Sequence, residues 1–228
     1  MSPELIILCL ALACSPMASG EETRVENPAL PGIPEGVTLG MNIKDLLKMR
    51  PKAKPFDLGA ALGEKPAPRP DELAKGSHLL MEKIEHEGFF SAGVYGLKDG
   101  RCVAFGMEGT HAREEFVQKR AEMVSRLVSL LGPNFERHLR RKYFKDASYL
   151  APVFLWKGKE RSVALTVTSE YPGVTFERGT LQLNVWSKGD EGLESAFEKD
   201  VDQVLLATLF TPLENEIRNA PSKKAPGP

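Results

Sequence analysis

The sequence predicts an α+β protein built on antiparallel sheet meanders with packed helices. Three observations carry this. Residues 110–132 form one long amphipathic helical pattern, with Phe116, Val117, Met123, Val124, Leu127, Val128 and Leu131 on a single face at three- and four-residue spacing. Two apolar runs, 89–97 and 101–107, are separated by Lys98-Asp99-Gly100, and Asp-Gly between such runs marks a tight hairpin because a type I′ turn needs positive φ at both central positions. Strand patterns then come in local groups without regular strand–helix–strand alternation, which favours antiparallel over doubly wound sheet.

In chain order, residues 21–36 are rich in proline and polar groups and read as an extended segment. The pattern at 37–50 predicts a short helix, with Asn42 as N-cap, Ile43, Leu46, Leu47 and Met49 as its apolar positions, and Pro51 as its stop. Pro55, Pro66, Pro68 and Pro70 make 51–70 a loop. Strands follow at 78–85, 89–97 and 101–107. The long helix has Thr110 as candidate N-cap, Glu114 and Glu115 where the helix dipole favours carboxylates, and Gly132-Pro133 as its end. Residues 135–145 are basic and read as helical. Strands resume at 153–156, 162–168 and 180–186, the last two alternating between apolar and polar residues. A final helix is predicted over 191–209, with a stripe of Leu193, Phe197, Val201, Val204, Leu205 and Leu209 limited by Pro212. The domain is thus placed at 37–212. Its order is compatible with two tandem α-βββ units, 42–108 and 111–187. Residues 213–228 read as a disordered tail, of which 219–228 has no apolar face.

The N-terminus predicts export. Residues 5–13 form an apolar run with the length of a signal-peptide core, too short for a bilayer-spanning helix of about 20 residues. Two exits are open. Ala18-Ser19-Gly20 suits cleavage before Glu21, leaving residues 1–20 as the signal peptide. Residues 10–14 instead resemble the bacterial lipoprotein signal, in which Cys14 is lipidated and becomes the first residue. The expected locations are therefore periplasmic, outer-membrane-attached or secreted, with membrane contact only through a lipid on Cys14. The n-region departs from the usual pattern: it holds Glu4 and no basic residue.

Composition narrows the function classes. The chain has 30 Lys and Arg against 31 Asp and Glu. That balance offers no net field to hold a nucleic acid. Of three cysteines, Cys9 lies in the signal and Cys14 is lost or lipidated, so Cys102 stands alone, without an internal disulfide, as a small core residue. His78, His86, His111 and His138 form no metal-binding spacing, and no nucleophile or phosphate-loop motif is present. Gly93, Gly96, Gly106 and Gly109 read as bulges or close sheet contacts. Trp156 and Trp186 are expected in the core. The run Arg137, His138, Arg140, Arg141 and Lys142 is the candidate anion or partner patch, its bland alternative being a solvated face pushed outward by Tyr143 and Phe144.

The opening Val37-Thr38-Leu39-Gly40-Met41-Asn42, followed by the Asp99-Gly100 hairpin, resembles the small outer-membrane lipoproteins of the SmpA/OmlA type. Their pattern is L-x-x-G-M-[ST] before the first helix, then a strand pair around a D-G-x turn. Here Asn42 replaces the Ser or Thr cap, and the proline-rich insert is longer. The tandem α-β units of the β-lactamase inhibitory proteins are similar in plan. The resemblance covers about 37–108 and implies a fold, an envelope location and binding to another envelope protein. It implies no active site and no cofactor.

The expected function is an exported, non-enzymatic binding or structural protein of the bacterial cell envelope, acting through a sheet face or the hairpin at Asp99-Gly100. Two alternatives stand beside it. One is a carrier holding a small ligand between the long helix and the sheet, near Phe116, Val124 and Leu127. The other is a motif-free hydrolase using Glu82, Glu85, His86 and Glu87.

Overall fold

Every strand pair among the described residues is antiparallel. The computed structural model describes residues 30, 36–56, 72–86, 88–144, 147–169, 178–188, 194–199 and 201–219. The signal run, Cys14, most of the extended segment and residues 220–228 lie outside these, as do Glu87, Leu193 and the side chains of Glu85, His86, Tyr143 and Phe144. Helix α1 (Ile43–Met49) leads into β1 (Lys54–Phe56), a 3-10 turn (Glu72–Ala74), β2 (Ser77–His86), β3 (Phe90–Lys98) and β4 (Arg101–Ala112). Helix α2 (Arg113–Leu131) leads into β5 (Glu136–Phe144), β6 (Ala147–Lys157), β7 (Arg161–Ser169) and β8 (Arg178–Ser187), then a 3-10 turn (Glu194–Ala196) and α3 (Gln203–Asn219). The eight strands form one sheet in the order β1-β2-β3-β4-β8-β7-β6-β5. The protein is α+β, with two antiparallel meanders joined where β4 pairs with β8.

Among the described residues each half is a helix followed by four strands, where the sequence predicts three. The two extra strands are the sheet edges. β1 sits inside the proline-rich stretch, and its Pro55 is tolerated because an edge strand leaves one side of its backbone unpaired. β5 is the basic run, read as helical from its charge. Pairing with β6 over nine residues overrides that local preference.

The short helix forms where expected, although Met49 is exposed. Asn42 caps α1, its Oδ1 accepting from the Asp45 amide at 3.0 Å, and Ile43 and Leu46 are buried. The hairpin turn has φ 47° at Asp99 and 73° at Gly100, the positive pair that the Asp-Gly signal requires. This turn is tied to the fold at Gly100, which is buried, while Asp99 is exposed. Asp99 exchanges hydrogen bonds with Gly76, and the Gly100 carbonyl accepts from the Ile43 amide at 2.8 Å.

Helix α2 lays Phe116, Met123, Val124 and Leu127 on the sheet, against Phe105, Met107, Leu181, Leu183 and Val185. Val117 is 39% exposed and lies off this stripe. Thr110 is not the N-cap. Strand β4 continues to Ala112, and the Thr110 hydroxyl meets that of Thr180 on β8 at 3.1 Å. His111 therefore belongs to a strand, buried with Nε2 2.9 Å from the Phe89 carbonyl oxygen. Trp156, Trp186 and Cys102 are buried.

Helix α3 corrects the predicted final helix and the tail. It begins at Gln203, passes through Pro212 and ends at Asn219. Phe210 and Leu213 are buried, so residues 213–219 belong to the folded domain. Long-range packing outweighs the loss of one amide donor at Pro212: Phe210 meets Phe154 edge-on at 5.1 Å, and Glu214 pairs with Arg137 on β5. Phe197 is not helical. It makes an isolated antiparallel bridge to Arg140 at the edge of β5.

Candidate functional site

Strand alternation divides the basic run into two sets. Arg137 and Arg141 share one face of β5, where Arg137 pairs with Glu214 at 2.6 Å and Arg141 with Glu198 at 2.8 Å. His138, Arg140 and Lys142 share the other. His138 stacks on Phe197 with ring centroids 4.8 Å apart and has Nε2 3.0 Å from Glu136 Oε2. Arg140 and Lys142 are buried, Lys142 to 2% exposure. The candidate patch is therefore neither one continuous basic surface nor a fully solvated face.

The Lys142 ammonium reveals the shape of the sheet. It donates to Gln182 Oε1 at 2.8 Å, although Gln182 is on β8 and Lys142 on β5. The registers align Gln182 with Thr166, Val153 and then His138 across β7, β6 and β5. Lys142 is thus three strands away and four residues further along. On a flat sheet that separation is about 19 Å, from a strand spacing of about 4.8 Å and a rise of about 3.3 Å per residue. Two extended side chains and a hydrogen bond span only about 14 Å between Cα atoms. The sheet must therefore coil, bringing β5 back over β8. Phe197 agrees: bridged to the edge of β5, it packs in one cluster with Ala104 of β4 and Trp186 of β8, together with Val153, Leu155 and Ala164.

This inner face, opposite the helices, is buried and polar. Glu108, Gln182, Asn184, Ser162, Thr166, Thr168, Arg140 and Lys142 all lie below 9% exposure. Gln182 joins a cation to an anion, its Oε1 accepting from Lys142 and its Nε2 donating to Glu108 Oε2 at 2.5 Å. Two residues along the same strand and face, Asn184 is 1% exposed, and neither its Oδ1 nor its Nδ2 has a hydrogen-bond partner among the described residues. Its cross-strand neighbours are Gly106 and Ala164.

Glu108, Gln182 and Asn184 escape the sequence reading. Gln182 and Asn184 alternate with Leu181, Leu183 and Val185, so they read as the wet side of a half-buried strand. The available signal is their chemistry: a solvated strand face is ordinarily charged, whereas β8 offers two amides and a tryptophan.

On the helix face, Glu82 Oε1 accepts from Arg50 Nε at 2.7 Å and from the Tyr95 hydroxyl at 2.5 Å. Burial, then the hydrogen bond to Glu82, raises the Tyr95 phenol well above its ordinary range. Burial opposes the Arg50 charge, but the bonds to Glu82 and Tyr95 outweigh it and raise the guanidinium. The Glu82 carboxylate is thereby engaged as a structural acceptor, which counts against it in hydrolysis. Phe116, Val124 and Leu127 are at most 1% exposed within the main core, which counts against a ligand between α2 and the sheet. Burial pushes the Cys102 thiol up to about 12, so it is a poor nucleophile. Among the described residues no group of three His, Cys, Asp or Glu side chains could hold a metal ion, and no helix is long and apolar enough to cross a membrane.

No family model, no curated protein and no solved structure matches this chain.

Proposed function

We propose that this chain is a non-enzymatic binding protein exported to the bacterial cell envelope, and that the first turn of α3 forms part of the surface that holds its partner, another envelope protein. The observation that carries the surface is the outward pair Val204 and Leu205, 74% and 38% exposed. They sit on a helix that already anchors itself with Phe210 and Leu213, so they contribute little to its docking. Exposed adjacent apolar side chains on an otherwise docked helix suit a contact with another protein. The apolar run at residues 5–13, the small residues before Glu21 and the lipoprotein-like setting of Cys14 support the location.

Two measurements test this. The mass of the N-terminal peptide, from protein made in its own host, is expected to show a lipidated Cys14 or a start at Glu21. An intact Met1 overturns the export reading. A photo-crosslinker at position 204 or 205 is expected to capture one envelope protein, with the yield lost in Val204→Glu when the probe is at 205. Equal capture from a probe at Glu122, on α2, overturns the assignment of the surface.

A further inference from the structure

We propose that the outer edge of β5 is a docking edge for an acidic strand segment of a partner protein, one with an aromatic residue directly before an acid. The chain's own segment Glu194–Glu198 is the resident occupant of that edge, and a partner segment of the same pattern replaces it. The edge is separate from the first turn of α3, and its test does not use that surface.

Main-chain pairing comes first. β5 pairs with β6 on one side and ends the sheet on the other. In an antiparallel pair, alternate residues turn their N–H and C=O groups away from the neighbouring strand. Leu139 is one of these, since it stands opposite Pro152, which has no amide to donate. Its carbonyl accepts instead from the Glu198 amide at 2.8 Å, and Phe197 forms an antiparallel bridge with Arg140. Phe197 and Glu198 thus sit where an added strand sits. Main-chain bonds of this kind hold any extended segment, and side-chain contacts choose which.

Three contacts set the choice. Phe197 stacks on His138 with centroids 4.8 Å apart and packs with Val153, Leu155 and Trp186 on the inner face. On the other face Glu198 Oε1 accepts from Arg141 Nε at 2.8 Å. In the turn before them, Glu194 Oε2 lies 3.1 Å from Lys157 Nζ. Glu214 holds Arg137, and Glu136 shares His138 and Lys157, so Arg141 is the cation that reads the acid.

Charge selects the occupant. β5 carries Arg137, His138, Arg140, Arg141 and Lys142, whereas residues 190–200 carry Asp190, Glu191, Glu194, Glu198 and Asp200 against Lys199 alone. Two copies of β5 laid edge to edge would set cations opposite cations, which is unfavourable. An acidic strand is favoured for the same reason. The resident segment holds the edge lightly. Glu194–Ala196 is a 3-10 turn, so the pairing with β5 is one bridge among the described residues, and both ion pairs are partly exposed. Its advantage is an effective concentration on the order of millimolar from belonging to the same chain. A partner extended along more of β5 makes more rungs and overcomes that advantage.

The probe is a fluorescein-labelled peptide with the sequence of residues 190–200, used with the full chain. Glu194→Ala with Glu198→Ala loosens the resident segment and leaves Phe197 in its cluster. Phe197→Ala is the second variant. A rise in Tm with peptide reads the same binding as anisotropy, so a variant weakened by the loss of Phe197 still reports. Both variants are expected to bind the peptide saturably at about millimolar, as suits so short a segment, and at least tenfold more tightly than the unaltered chain. Alanine in place of the peptide's phenylalanine is expected to weaken binding at least tenfold. Arg141→Glu in either variant is expected to lose binding, and a peptide with lysine in place of the acid after phenylalanine is expected to restore it. No saturable binding by either variant, equal binding by the unaltered chain, equal binding of the alanine peptide, or no restoration by the lysine peptide overturns the proposal.

Discussion

Lys142 donates to Gln182 at 2.8 Å across three strands of one sheet, and Gln182 passes the contact to Glu108. That relationship ties both halves of the chain together on the inner face, because Glu108 belongs to the first meander and Lys142 to the second. Removing one end leaves the other charge buried with its link cut. Lys142→Met is expected to destabilise the fold by about 3 kcal/mol, in the range for breaking a buried charged pair from one side. Adding Glu108→Gln should return part of this, with a coupling of about 1–3 kcal/mol. Urea unfolding of the two single variants and the double variant measures it. Strict additivity would mean that the two charges are not linked through Gln182.

The cluster under α1 predicts an order of effects. Tyr95→Phe removes one donor from Glu82 and leaves Arg50, so it should cost about 1–2 kcal/mol. Arg50→Met removes the cation beside a carboxylate whose side chain is 2% exposed, and should cost more, about 3 kcal/mol. Chemical denaturation of both variants ranks them. The reverse order would show that the phenol, not the guanidinium, holds Glu82.

Alkali should unfold the protein partly through Cys102. Burial raises its thiol from an ordinary value of 9.0 to about 12. A raised pKa in the folded state gives stability that is complete below the unfolded value and is lost as pH climbs toward the folded one. The window is therefore about pH 9 to 12, and the raised Tyr95 phenol acts in the same direction from its ordinary 10.0 upward. Cys102→Ala is expected to flatten the alkaline limb of a stability–pH curve. An unchanged limb counts against a buried thiol.

The acid limb has a different owner. Burial works against the Glu136 carboxylate, but hydrogen bonds from His138 and Lys157 outweigh it and lower its pKa from the ordinary 4.5. A lowered value gives stability that is present above the ordinary range and lost as pH falls through the folded value, so the window lies below about pH 4.5. Glu136→Gln should make stability less sensitive to acid there, measured as Tm against pH. The effect should be small, because the side chain is half exposed.

Two glycines separate a wall of backbone from a wall of side chain. A Cβ at Gly109 would sit 1.9 Å from the Phe89 carbonyl oxygen, which cannot rotate away. A Cβ at Gly179 would sit 2.4 Å from the Phe116 ring, which can shift within the core. Gly109→Ala should therefore cost about 3 kcal/mol or more and Gly179→Ala about 1–3 kcal/mol, read from thermal unfolding. Equal costs would mean that the Phe116 ring is as fixed as the backbone at Phe89.

The sequence by itself determined what depends on neighbours along the chain. The stripe of α2, the Asn42 cap and the Asp99-Gly100 turn are local physics: a 3.6-residue period, one side-chain oxygen and two positive φ angles. The six inner strands follow from short apolar runs, the Asp-Gly turn and, in β7 and β8, alternation, and with them the α+β class. The edges were decided elsewhere. Charge hid β5 and proline hid β1, because a strand is completed by hydrogen bonds to residues far along the chain, which no window of sequence contains. The passage of α3 through Pro212 likewise rests on Phe154 and Arg137, more than 50 residues away. The inner face was settled only by the coiling of the sheet. Alternation shows that Gln182, Asn184 and Lys142 each stand on one side of a strand. Only the coiling of β5 over β8 turns that side from water into an interior, where Gln182 links Lys142 to Glu108.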